Sequence, residues 1–129
     1  MTPISATVQH NGQELRGEYM TIKSTFLGRE DHGFLTFTLS CEGATGGIGV
    51  GGYALDSAPT SPGWSRVPTA QGLALVYEVI ATAGVESWEK LPNTKVLVLF
   101  DNDRRCVGFA NPDNGKVLVF GEFLERQRT

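Results

Sequence analysis

Polar and apolar residues alternate with a period of two through most of this chain, and a helical period surfaces once. Residues 20–26 set Met20, Ile22, Ser24 and Phe26 against Thr21, Lys23 and Thr25, which predicts a half-buried strand. Residues 34–40 set Thr36 and Thr38 against Leu35, Phe37 and Leu39, all residues that suit a pleated surface. A weaker alternation in residues 3–19 surrounds Asn11-Gly12, a two-residue turn pair, and predicts an edge hairpin or an N-terminal arm. Residues 95–100, KVLVLF, form a near-continuous apolar run, the mark of a strand covered on both faces. Short strands are predicted at 106–110 and 116–124, separated by the turn sequence NPDNG, with a frayed tail after them. The helical period appears in residues 69–83. Thr69 is placed to cap it, Leu73, Val76, Tyr77 and Ile80 predict its buried stripe, and Gly84 is placed to end it. A turn over 87–92 can tuck Trp88 and Leu91 under the domain.

Strands joined by tight turns, interrupted by one helix, predict an α+β domain: an antiparallel sheet with one main helix packed on one face. The length of 129 residues suits a single core. Residues 1–20 are read as the arm or edge hairpin and residues 21–129 as the domain.

The middle of the chain departs from ordinary strand composition. Gly43, Gly46, Gly47, Gly49, Gly51 and Gly52 fall within ten positions, ahead of Tyr53, Ala54, Leu55 and Asp56. Glycine weakens a strand unless the missing side chain removes a clash, so something approaches this backbone closely. A ligand lying on exposed N–H groups and tight packing within the fold both satisfy that condition. The stretch has neither the G-x-G-x-x-G that opens a helix nor the Lys-Ser/Thr of a phosphate-binding P-loop.

Composition narrows the function classes. A formal net charge of −3 disfavours a broad duplex nucleic-acid surface. No apolar run approaches the ~20 residues of a membrane span, and the N-terminus lacks the basic and apolar regions of a secretion signal, so a cytoplasmic setting is expected. Cys41 and Cys106 are expected as free thiols packed in strands. Glu30, Asp31 and His32 could be an acid–base set or metal ligands, but a metal would want more ligands, and a capped turn completed by Gly33 is the favoured reading. No G-x-S-x-G is present, and an enzyme is not expected. The arginines carry more information. Arg66 lies near Trp64 in a Pro/Ser/Gly-rich loop over 56–68, just before the predicted helix N-terminus at Thr69, where backbone N–H groups already favour an anion. Tyr53, Trp64, Phe100 and Phe109 are candidate stacking surfaces.

The run LGREDHGFLTFTL, then VGGYALD, a small-residue loop, a helix and SWEKL resembles a set of small phage and prophage proteins. Within that set the chain is similar to the anti-Thoeris sponge family, phage proteins that sequester a cyclic ADP-ribose immune signal without cleaving it. The resemblance implies a homodimer or higher symmetric oligomer in the host cytoplasm, no cofactor, and a small phosphorylated nucleotide as partner. It implies that Arg66 holds phosphate, that Arg105 with Asn102 or Asn111 holds the ribose–phosphate, and that Phe109 packs on the base. Gly51, Gly52, Tyr53 and Thr69 complete the expected ligand-binding set. Phe109 and Ala110 follow Gly108 where the pattern leads one to expect a polar residue. Two further readings stand beside this one: a protein–protein inhibitor or adaptor of a host defence or replication protein, and a small hydrolase built on Glu30, Asp31 and His32.

Overall fold

The computed structural model describes residues 5–30, 33–58 and 66–127. Strands β1 (Ser5–His10) and β2 (Gln13–Arg29) form a hairpin whose turn holds Asn11 at φ 49° and Gly12 at φ 79°. Two left-handed residues in a two-residue turn match the right-handed twist of the strands they join. β2 runs unbroken through residue 20, so the hairpin and the predicted 20–26 strand are one element. It pairs β1 through residues 13–18 and then β3 (Leu35–Gly43) through residues 20–29, with a bulge between Ile22 and Ser24. β4 (Gly46–Gly51) returns along β3, and short β5 (Asp56–Ser57) and β6 (Val67–Pro68) pair with each other. After helix α1 (Ala70–Ala83) and a 3-10 turn over Trp88–Lys90 come β7 (Lys95–Phe100), β8 (Cys106–Ala110), β9 (Val117–Val119) and helix α2 (Phe120–Gln127). The main sheet has seven strands in the order β4-β3-β2-β7-β8-β9, with β1 also on β2, and every pairing is antiparallel. The fold is the α+β class that the alternating pattern predicts.

Both faces of β7 are buried, which is why its sequence does not alternate. Val96, Val98 and Phe100 join Ile22, Phe37, Leu39 and Val50 under the helices, while Leu97 and Leu99 meet Leu15 and Ala110 on the opposite face. At roughly 1.5–3 kcal/mol for each fully buried side chain of this size, these two layers dominate the stability of the sheet. Trp88 and Leu91 tuck in as the sequence predicts: Leu91 is fully buried, and the Trp88 indole donates to Thr25 Oγ1 at 3.1 Å.

Two expectations are corrected. The buried stripe of α1 is Gly72, Leu75, Val79, Thr82 and Ala83, whereas Leu73 and Tyr77 point to solvent. Apolar residues surround most of this helix, so periodicity admits two phases, and the choice is made by close approach. A side chain at Gly72 would place Cβ 2.0 Å from the Leu55 carbonyl oxygen, so only the face carrying glycine can sit against residues 54–56. The second correction concerns the C-terminus. The predicted last strand stops at Val119 and continues as α2, because Phe120, Phe123 and Leu124 have helical rather than alternating spacing. Phe120 is fully buried, edge-on to Phe37 at 5.7 Å, and α2 seals that end of the core.

Candidate functional site

The residue that sequence reasoning ranks first, Arg66, sits at the start of β6 beside the N-terminus of α1. Its Nε donates to Asp56 Oδ1 at 2.9 Å and its Nη2 to the Asp56 carbonyl at 3.2 Å, while its guanidinium lies 5.9 Å from the Phe34 ring centroid. Asp56 is fixed from the other side by the Leu35 N–H, which donates to Oδ2 at 3.0 Å. Burial pushes the Asp56 carboxyl up, but the Leu35 N–H and Arg66 outweigh it and hold the group below its ordinary value. Arg29, from the end of β2, lines the same hollow with Arg66, Asp56, Leu35 and Pro68, about 220 Å³ in volume. Among the described residues that line this hollow, two guanidiniums stand against one carboxylate. Thr69 stands next to it as the N-cap: its Oγ1 accepts from the Gly72 N–H at 3.0 Å and donates to the Leu55 carbonyl at 3.0 Å. The helix therefore begins where the sequence places it.

The remaining candidates are not gathered there. Asn102 and Arg105 are exposed in the β7–β8 turn, where Asp101 Oδ1 accepts from the Asp103 and Arg105 N–H groups. β7 sets Phe100 opposite Arg16 at one end of β2, and Arg29 ends the same strand. At ~3.3 Å per residue the two ends are roughly 40 Å apart, so one chain cannot close Arg66 and Arg105 on the same small ligand. Asn111 is buried in the β8–β9 turn, its Oδ1 accepting from the Asp113 N–H at 2.8 Å and the Asn114 N–H at 3.3 Å. It lies beside Gly84 at the C-terminal end of α1, about 20 Å from Thr69 along a 14-residue helix.

Three expectations fail on packing. Phe109 is fully buried, 6.2 Å from the Phe120 ring centroid, and offers no face to a base. Gly51 (φ +123°) is approached by the protein's own Phe37: a Cβ there would lie 2.6 Å from the Phe37 carbonyl oxygen and 2.8 Å from its ring. The Gly52 N–H is not an open donor either, because it donates to the Phe37 carbonyl at 2.8 Å. Close approach to the glycine strand is thus internal at Gly51, whereas a Cβ at Gly52 would meet nothing within 4 Å. Tyr53 is half-buried with its ring 5.4 Å from that of Phe120.

Of the acid–base set, Asp31 and His32 lie outside the described residues, as does Trp64. Glu30 and Gly33 form a turn in which the Gly33 N–H donates to the Glu30 carbonyl at 2.9 Å, with Gly33 at φ +90°. Both cysteines are free; burial pushes the Cys41 thiol up to about 12 and also raises Cys106. Among the described residues no group of three or more His, Cys, Asp and Glu side chains could hold a metal ion, and no helix is long and apolar enough to cross a membrane.

Sequence reasoning missed Arg29, Phe34 and Asp56 as partners of Arg66. The available signal was the alternation itself: Leu27 and Arg29 continue the phase of Thr25 on β2, and this phase faces Leu35 and Phe37 across the pair. No family model, curated protein or solved structure matches the chain.

Proposed function

We propose that this chain is a phage-encoded anti-defence protein that captures a small cyclic nucleotide signal, of the cyclic ADP-ribose type, and holds it intact. The resemblance described above supplies the ligand class. The observation that carries the reading is the hollow lined by Arg29 and Arg66, whose guanidinium forks suit phosphate. Capture without cleavage needs phosphate donors and no nucleophile. At about 220 Å³ the hollow is smaller than the roughly 300–1,000 Å³ of sites that enclose a whole small molecule. It holds part of the ligand, and a second copy of the chain completes the enclosure in a homodimer or higher symmetric oligomer. The two arginine-bearing ends of the sheet then belong to one site only if they come from different chains.

The test is to incubate the purified protein with cyclic ADP-ribose isomers and cyclic dinucleotides, remove free ligand, and release what remains by heat for mass spectrometry. Recovery of an unaltered cyclic nucleotide supports the proposal, and recovery of none, or only of a linear product, removes it. The reading as a protein–protein inhibitor has its own support in the apolar side chains exposed on α1 and β2. A stoichiometric host protein retained from lysate, with no nucleotide bound, selects it.

A further inference from the structure

The outward stripe of α1 and the far half of β2 form one surface, and among the described residues the strand at its centre has an open edge. Leu35 and Phe37 turn their carbonyls away from β2, toward the N–H groups of Leu55 and Gly52, each at 2.8 Å. Backbone groups alternate along a strand, so Thr36 and Thr38 turn toward β2, where they pair with Gly28 and Phe26. The main-chain groups of Thr25, Leu27 and Arg29 therefore point off the other side of β2. On that side β7 accompanies β2 only to Thr21, and the last bonds are Ile22 N–H to the Thr94 carbonyl and Asn93 N–H to the Ile22 carbonyl. Beyond them, among the described residues, no main-chain partner reaches Thr25, Leu27 or Arg29.

The flanks of this edge are apolar. Leu73 is 73% exposed, Tyr77 71%, Phe26 46% and Leu27 42%. Leu27, Leu73 and Val76 line a groove of about 480 Å³ between β2 and α1, closed at its base by Leu35 and Leu55. At roughly 200 Å² for a large side chain, these exposures leave about 500 Å² of apolar residue surface. That is more than half of the ~800 Å² each partner contributes to a stable interface, before any strand backbone is counted. An uncovered, unpaired apolar edge of this kind is a template for another strand.

We infer that the occupant is a second copy of this chain, joined by antiparallel pairing of β2 with its twin across a twofold axis at Leu27. An axis perpendicular to the sheet requires a residue to meet itself, and the outward-pointing groups allow Leu27 to do so as a hydrogen-bonded pair. Thr25 then pairs with Arg29 of the twin and Phe26 with the twin's Gly28. The register centred on Phe26 is disfavoured, because it sets Lys23 opposite Arg29. On the groove side the two copies of Leu27 meet, and the exposed Leu73 and Tyr77 of each α1 come to the seam. Arg29 sits at the end of the paired segment, so each arginine hollow opens beside the twin's strand. The inference rests on the open edge and not on a nucleotide. A dimer that binds none would leave it standing and remove the proposed function, and an assembly that binds one but is not joined at this edge would do the reverse.

The test combines sedimentation across a dilution series with hydrogen exchange of the same samples. The intact chain is expected to be a dimer in which the amides of Thr25, Leu27 and Arg29 exchange slowly and speed up on dissociation. Leu27→Pro removes one outward N–H and none facing β3, as proline tolerates an edge. It is expected to give a monomer whose Phe26 and Gly28 amides stay protected. Should that variant fail to fold, Leu73→Glu with Tyr77→Glu, on the exposed face of α1, is expected to weaken the dimer at least tenfold. Leu27→Cys is expected to form a symmetric disulfide on mild oxidation, since hydrogen-bonded partners stand about 5.5 Å apart at Cα. A chain that is monomeric at every concentration overturns the inference. So does a dimer whose Leu27 amide exchanges as an open edge, or a host protein that occupies this face on a monomer.

Discussion

Alanine at Gly72 should destabilise the protein, although the same change at an ordinary helix position stabilises it by about 1 kcal/mol. Gly72 lies on the inward face of α1, and an added Cβ would stand 2.0 Å from the Leu55 carbonyl oxygen, 2.6 Å from its carbon and 2.7 Å from its Cα. All three are backbone atoms, so no rotamer change relieves the contact. Either α1 lifts by more than 1 Å or residues 54–56 move. Lifting α1 loosens Leu75 and Val79, both fully buried, and moving Leu55 strains the bond its carbonyl accepts from Thr69 Oγ1 at 3.0 Å. Overpacking of this kind costs roughly 1–3 kcal/mol, occasionally more, and disturbing a cap adds about 1. After subtracting the helix-propensity gain, the expected loss is about 2 kcal/mol, a fall of roughly 6–10 °C in Tm for a domain of this size. Gly121→Ala is the control, since nothing lies within 4 Å of a Cβ at that helical position and stability should hold or rise by a few tenths of a kcal/mol. Urea denaturation followed by circular dichroism measures both. A Gly72→Ala protein as stable as the parent would refute the close approach of α1 to Leu55 and, with it, the phase assigned to the helix.

Phe120→Ala should cost about 3–5 kcal/mol by the same measurement, because the ring is fully buried against Phe37, Tyr53 and Phe109; a loss under 1 kcal/mol would show that α2 is not docked. Because the Asp56 carboxyl is held below its ordinary value of 3.8, its contribution is present above that pH and is lost as pH falls through the folded value. Asp56→Asn should therefore be less stable than the parent at pH 7, and the two should converge in acid; parallel stability curves down to pH 2 would contradict the pairing. Cys41 should resist alkylation at pH 8 in the folded protein and react after unfolding, since its thiol is buried and raised to about 12. Rapid native labelling at Cys41 would contradict its place in the core.

The sheet was legible because its signals are local and redundant. Alternation over 34–40, the apolar run over 95–100 and the turns at Asn11-Gly12 and NPDNG each fix a strand or its end without knowledge of the rest. Thr69 and Gly84 mark the ends of α1 for the same reason. The phase of α1 was not legible, because two apolar stripes share the helix and the deciding contact, Gly72 on Leu55, joins residues distant in sequence. The helix after Val119 was hidden by the apolar run Val117–Val119, which reads as strand and leads directly into it. For the site, the type and place of Arg66 and Thr69 could be read, but the Asp56 partner could not, since a carboxylate in a loop does not announce which cation it meets. Gly51 shows the limit most plainly: the sequence says that something approaches, and only the fold says that it is Phe37.

The account as a whole turns on capture of a nucleotide at the Arg29–Arg66 hollow, and titration calorimetry of cyclic ADP-ribose isomers into the parent and into Arg29→Ala measures it directly. Arg29 is exposed on its strand, so its removal should change stability by about 0.5 kcal/mol or less. The expected result is saturable binding to the parent at a fixed ratio of ligand to chain, weakened at least tenfold in an Arg29→Ala protein that remains folded. Equal heats from the two proteins, or no heat from either, would contradict it.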